Sequence, residues 1–127
     1  MTRPAEPITP VQIESKLRHL IGDLSNRQET LAKARDAETE TEIALRRARA
    51  IAAHSEACPV PLRGGFTVGQ RDAWIDAQVA DEHDAHDRAT TMRETALDAL
   101  RTAQAIAELA QSLNASVRLA YSQASRS

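Results

Sequence analysis

The feature that most constrains this chain is a row of apolar residues at alternating four- and three-residue steps near its end: Met92, Ala96, Ala99, Ala103, Ile106, Ala110, Leu113, Val117 and Ala120. That spacing keeps one face of an α-helix turned toward a partner helix through four heptads, and neither a strand nor a loop requires it. Leu97, Leu100, Ala107 and Leu109 lie off the row, and between Ala96 and Val117 the only charges are Asp98, Arg101 and Glu108. A helix apolar on more than one face is buried on several sides. With 127 residues in all, the chain has little else to cover it, so further copies of itself are the expected partners.

Alanine supplies 24 residues, and Phe66, Trp74 and Tyr121 are the only aromatics, so the large side chains that fill a globular core are scarce. Alanine has the highest helix propensity and lets helices approach closely, and the few β-branched residues never form an alternating run. The expected class is therefore all-α, in one domain. A net charge of −2 by itself selects neither a nucleic acid nor a membrane as partner. No apolar run approaches the roughly 20 residues of a membrane span. The lone Cys58 excludes an internal disulfide framework, and the start MTRPAEPITP has no apolar signal region, so a cytoplasmic location is expected.

Two helix starts share one arrangement. Thr9 can cap, Pro10 suits the first helical position and Gln12 can complete a capping box; Thr67-Val68-Gly69-Gln70 repeats the pattern. Between them, Pro59, Pro61, Gly64 and Gly65 make residues 58–66 a connector. The spacing predicts a first helix over about 10–57, with Leu17, Leu24, Leu31, Leu45 and Ala52 in heptad phase and Glu38 breaking that phase. Gly22 leaves open a short helix followed by a longer one. A second helix is expected over about 68–122, which makes residues 9–127 a long antiparallel helical hairpin with an Ala-rich coiled-coil C-terminal helix, assembled into an oligomeric bundle or ring. Residues 1–8 and the Ser-Arg-Ser end are expected to be disordered.

Charge is unevenly placed. Residues 43–71 carry Arg46, Arg47, Arg49, Arg63 and Arg71 against Glu56 alone, a balance of +4. Arginine forks match phosphate oxygens, so the connector end is a candidate polyanion site; the alternative is a solvated face with intrahelical pairs such as Glu42 to Arg46. Asp36, Glu38, Glu40 and Glu42 just before the patch, and Asp81, Glu82, Asp84 and Asp87 on the second helix, are candidate partners for arginines of the same or a neighbouring chain. Only Phe66 and Trp74 lie near the patch, and Trp74 is better read as a packing anchor, so binding is expected to be mainly electrostatic with little sequence preference. Cys58 reads as a small helix-end residue and not as a nucleophile. Glu82 with His86, and His83 with Asp87, stand one helical turn apart, but neither histidine has a glutamate three residues before it, as a di-iron bundle requires. A polar exposed face is expected there, with no metal.

The order of these parts, with Ile43-Ala44-Leu45-Arg46-Arg47-Ala48-Arg49, a Pro/Gly connector, Phe66-Thr67 opening a helix and a nearly uncharged last helix, resembles the small UvsY-type recombination mediators of bacteriophages and similar short helical proteins of actinophages and their prophages. The resemblance covers about residues 30–121. In that family an aliphatic-Ala-Leu run precedes a Lys-Ala-Arg tripeptide implicated in single-stranded DNA binding. Here Arg46 falls at the lysine, Arg47 at the alanine and Ala48 at the arginine, with Arg49 one step late. The resemblance implies a ring-like homo-oligomer formed through the C-terminal helices, which helps load a RecA-type recombinase onto DNA coated with single-strand-binding protein. Two further readings stand beside it: a structural or assembly protein of a virion, such as a scaffold or adaptor, and a small helical regulator of a host protein. An enzyme is not expected, because two long helices offer little of the concave, water-excluding surface that catalysis needs.

Overall fold

The two capping boxes set where helices begin. The structure, a computed structural model, describes residues 9–126. The Thr9 backbone N–H donates to Gln12 Oε1 at 3.0 Å, and the Gln12 N–H donates to Thr9 Oγ1 at 3.2 Å. Helix α1 runs from there over Pro10–Ala53. Gly22 does not break it: the helix is continuous through this position, and a side chain there would meet open space. A glycine in a helix interior costs about 0.5–1 kcal/mol, which 44 residues of helix tolerate. The helix stops at Ala53, four residues short of the expected end. There the hydrogen bonding tightens, with Ser55 N–H to Ala52 O at 3.2 Å and Cys58 N–H to Ser55 O at 3.1 Å. Pro59 then holds Cys58 away from the helical region.

In the connector, Gly65 N–H donates to Leu62 O at 2.9 Å, closing a turn in which Gly64 takes φ +82°, the only positive φ among the described residues. That conformation is one L side chains rarely adopt, which explains a glycine at the third position of the turn. Pro61 and Phe66 form an isolated bridge on either side of it, and no strand occurs among the described residues. The second capping box follows: Thr67 N–H to Gln70 Oε1 is 2.8 Å and Gln70 N–H to Thr67 Oγ1 is 3.1 Å.

The expected single second helix is two. Helix α2 covers Val68–Gln78 and helix α3 covers Ala80–Arg126, with Val79 between them at φ −108°, ψ 18°. Hydrogen bonds of the helical spacing persist across the break, from Val79 N–H to Ile75 O and from His83 N–H to Val79 O. Neither proline nor glycine stands there. Val79 is the most buried side chain, 1 % exposed, and its departure from helical ψ coincides with its insertion into the cluster of Ala52, Cys58 and Ile75. Helix α3 also takes in Ser125 and Arg126, which were expected to be disordered, whereas residues 1–8 and 127 lie outside the described residues.

Contacts divide the chain into two compact units: Ala32–Thr95, and the residues up to Leu31 together with those from Ala96 on. In the first, the α1 positions withdrawn from solvent include Ala34, Glu38, Thr41, Leu45, Ala48 and Ala52, in steps of four and three. Across from them Ile75, Val79, Glu82, His86, Ala89 and Arg93 keep the same steps. Leu45, Ala48, Ala53 and Trp74 pack around the buried cluster, so Trp74 is a packing residue. In the second unit, Ile13, Leu17, Leu20, Leu24, Arg27 and Leu31 of α1 are withdrawn, and so are Ala96, Leu100, Ala103, Ala107, Ala110, Asn114 and Val117 of α3. Arg118 pairs with Glu14 there.

This pattern revises how α3 uses its apolar residues. Ala96 and Ala103 are buried and Ala99, Ala110 and Val117 half-buried, but Met92, Ile106, Leu113 and Ala120 are exposed. Leu100 and Ala107, read as lying off the row, are buried instead. Within its unit α3 turns a row shifted by one residue at every second step, and Leu109 stays 71 % exposed.

Candidate nucleic-acid interface

All five candidate arginines belong to the unit Ala32–Thr95, brought there by the end of α1, the connector turn and the first turns of α2. Arg46 and Arg49, three residues apart, share a face of α1, while Arg47 is turned away by about 100°. Two of the five are held by carboxylates. Arg46 Nη2 donates to Glu42 Oε1 at 2.7 Å, one helical turn back, and Arg49 Nη2 donates to Asp76 Oδ1 at 2.6 Å, tying α1 to α2. Both pairs are well exposed, so each is worth little in stability. Arg47, Arg63 and Arg71 make no ion pair among the described residues. Arg47 and Arg63 are exposed, and Arg71 is half-buried along a shallow groove shared with Glu56, Cys58 and Pro61.

Glu42 answers Arg46 as expected, whereas Asp81, Glu82, Asp84 and Asp87 pair with none of the five arginines among the described residues of the chain. Asp76 of α2, 27 residues along the chain, answers Arg49. Asp87 pairs with His83, Oδ2 to Nδ1 at 3.2 Å, and one potential ligand atom from each of His83, Asp84 and Asp87 lies within 4.8 Å of the others. All three residues are exposed. His86 turns the other way, with Nδ1 3.2 Å from Thr41 Oγ1. Phe66 is exposed in the connector, close in sequence to Arg63, and is the aromatic ring in this unit available for stacking on a base.

Glu38 is the residue whose role the sequence concealed. Arg93 Nε donates to Glu38 Oε2 at 2.7 Å, and the two side chains are only about a quarter exposed, at 25 % and 27 %. The hydrogen bond from Arg93 holds the Glu38 carboxyl below the usual glutamate range and, in return, raises Arg93. With Thr41 and His86 nearby, this makes a polar layer in an otherwise small-residue seam. A signal existed: positions 38 and 93 continue the four-three steps of their helices, so opposite charges at both meant a matched layer and not a break.

Among the described residues no helix is long and apolar enough to cross a membrane. No protein-family model matches the chain, and comparison with curated proteins and with solved structures finds no match.

Proposed function

We propose that this chain is a non-enzymatic recombination mediator of phage or prophage origin, which self-associates, binds single-stranded DNA and assists the loading of a RecA-type recombinase onto DNA coated with single-strand-binding protein. The observation that carries the DNA-binding part is that Arg47, Arg63 and Arg71 make no ion pair among the described residues, with the ring of Phe66 exposed three residues along the chain from Arg63. Such a set supplies charge for phosphates and one stacking surface, with nothing that reads a base edge. One copy binds weakly. A homo-oligomer presents the set several times along one strand, and avidity then supplies affinity that a monomer lacks. In the same reading, α1 pairs with α2 and α3 in antiparallel, coiled-coil fashion within each unit, and the protein works in the cytoplasm of a bacterial host.

A second reading, a structural or assembly protein of a virion, is favoured by Arg46 and Arg49, whose charges are already met by Glu42 and Asp76. A mobility-shift titration with a labelled single-stranded oligonucleotide separates the two. A shift at low salt that weakens at higher salt supports the mediator; no shift even at low salt leaves the assembly protein in its place.

A further inference from the structure

The five candidate arginines stand in two states. Arg47, Arg63 and Arg71 make no ion pair among the described residues, whereas Arg46 and Arg49 are each held by a carboxylate. The two held guanidiniums share one face of α1, and their partners Glu42 and Asp76 belong to the same unit, Ala32–Thr95. Each contact runs from a single nitrogen, Nη2, to a single carboxylate oxygen, at 2.7 Å for Arg46 and 2.6 Å for Arg49. A guanidinium carries five N–H donors, so most of each fork stays unused.

Exposure decides how firmly these arginines are held. The side chains of Arg46 and Glu42 are 75 and 52 % exposed, and those of Arg49 and Asp76 are 43 and 59 % exposed. Ion pairs this open to water contribute little, so a stronger anion can part them. A phosphodiester strand is such an anion. Its oxygens match the guanidinium fork, and each phosphate neutralised sets free counterions condensed on the strand.

We infer that Glu42 and Asp76 are built-in competitors of the strand: its phosphates displace them from Arg46 and Arg49, and the two carboxylates hold down the affinity of the site. This rests on the single-stranded DNA reading above and adds the regulation of that site. The strand is met first by the three arginines without ion pairs, and the two held ones join as their carboxylates are displaced. Weak binding by one copy is then set by two acidic side chains as well as by the number of arginines.

Neutralising the competitors tests this in the full chain, with a labelled single-stranded oligonucleotide at low salt read by fluorescence anisotropy. Asp76→Asn and Glu42→Gln keep the size of each side chain and remove its charge. Each should tighten binding about two- to fivefold, the range that an exposed ion pair allows. Loss of any acid raises affinity somewhat by making the chain less negative, so Asp72→Asn is the reference: Asp72 is exposed on α2 one turn before Asp76 and makes no ion pair among the described residues. It should tighten binding less than either competitor variant. The excess must also depend on the arginine that is freed. In an Arg49→Ala background Asp76→Asn should do no more than Asp72→Asn, and Glu42→Gln should likewise lose its excess alongside Arg46→Ala. Glu42 and Arg46 lie on one helix, so that pair decides the matter even where Asp76→Asn disturbs the tie between α1 and α2. If the wild type binds and neither competitor variant exceeds Asp72→Asn, or the excess survives loss of the arginine, the inference is overturned while DNA binding stands. If neither the wild type nor any variant binds at low salt, the DNA reading fails and the competition with it.

Discussion

Glu38 and Arg93 occupy facing positions of two heptad seams and meet through a 2.7 Å hydrogen bond, each about three-quarters withdrawn from solvent. Placing a charged pair where leucines or alanines would pack gives up apolar contact, and what it supplies is register: any slip of one helix past the other parts the two charges.

Removing one partner should cost more than removing both. Arg93→Met leaves the Glu38 carboxylate largely withdrawn from solvent without its guanidinium partner, and Glu38→Leu leaves the guanidinium with the longer, 3.9 Å contact to Glu94. The double variant Glu38→Leu with Arg93→Met replaces the layer by packed apolar side chains. Thermal unfolding should rank both singles below the wild type and the double above either single. Additive losses in the cycle would show the pair to be uncoupled.

Acid should weaken the same layer. The folded Glu38 carboxyl titrates below its unfolded value of about 4.3, so its contribution is fully present above that pH and is lost as pH falls through the depressed folded value. Glu38→Gln abolishes this dependence. Denaturant titrations across the acid range should therefore show a steeper loss for the wild type than for Glu38→Gln, and parallel curves would remove Glu38 as the source.

Val79 sits at the break between α2 and α3 and is the most buried side chain. Val79→Ala removes two buried methyl groups from the cluster with Ala52, Cys58 and Ile75, which at usual transfer values costs about 1.5–2 kcal/mol. Urea unfolding checks the cost. A loss under about 0.5 kcal/mol, the usual bound for a surface change, would mean the cluster is not a core.

Asn114 lies in the seam of α3, and its Oδ1 is buried with no hydrogen-bond partner among the described residues. Leaving such an acceptor unsatisfied costs about 1–3 kcal/mol, so Asn114→Leu should raise stability by roughly 1–2 kcal/mol. A lower unfolding midpoint for Asn114→Leu would mean the carboxamide is satisfied in solution.

Much of this fold is legible because its signals are local. Thr9 with Gln12, and Thr67 with Gln70, announce helix starts by spacing alone, and both boxes close. Leu17, Leu24, Leu31, Leu45 and Ala52 keep the phase of α1, and all are withdrawn from solvent. The break at Val79 has no such local signal, since neither proline nor glycine stands there. The row on α3 was half displaced because Ala96, Ala103, Ala110 and Val117 belong equally to a row through Ile106 and Leu113 and to one through Leu100 and Ala107. Only α1 decides between them. At the connector end, the five arginines were visible as composition, but Asp76 as the partner of Arg49 was not, since side chains 27 residues apart meet only once the unit is packed.

The most direct test of the proposed function is fluorescence anisotropy with a labelled single-stranded oligonucleotide at several salt concentrations, comparing the wild type with Arg47→Ala, Arg63→Ala and Arg71→Ala combined. The wild type should bind sequences of different composition alike, with affinity falling steeply as salt rises, and the triple variant should bind at least tenfold more weakly with a shallower salt slope, at unchanged helicity and particle mass. Equal affinity and slope for the two proteins, or no binding by the wild type at low salt, would contradict a DNA-binding role for this arginine group.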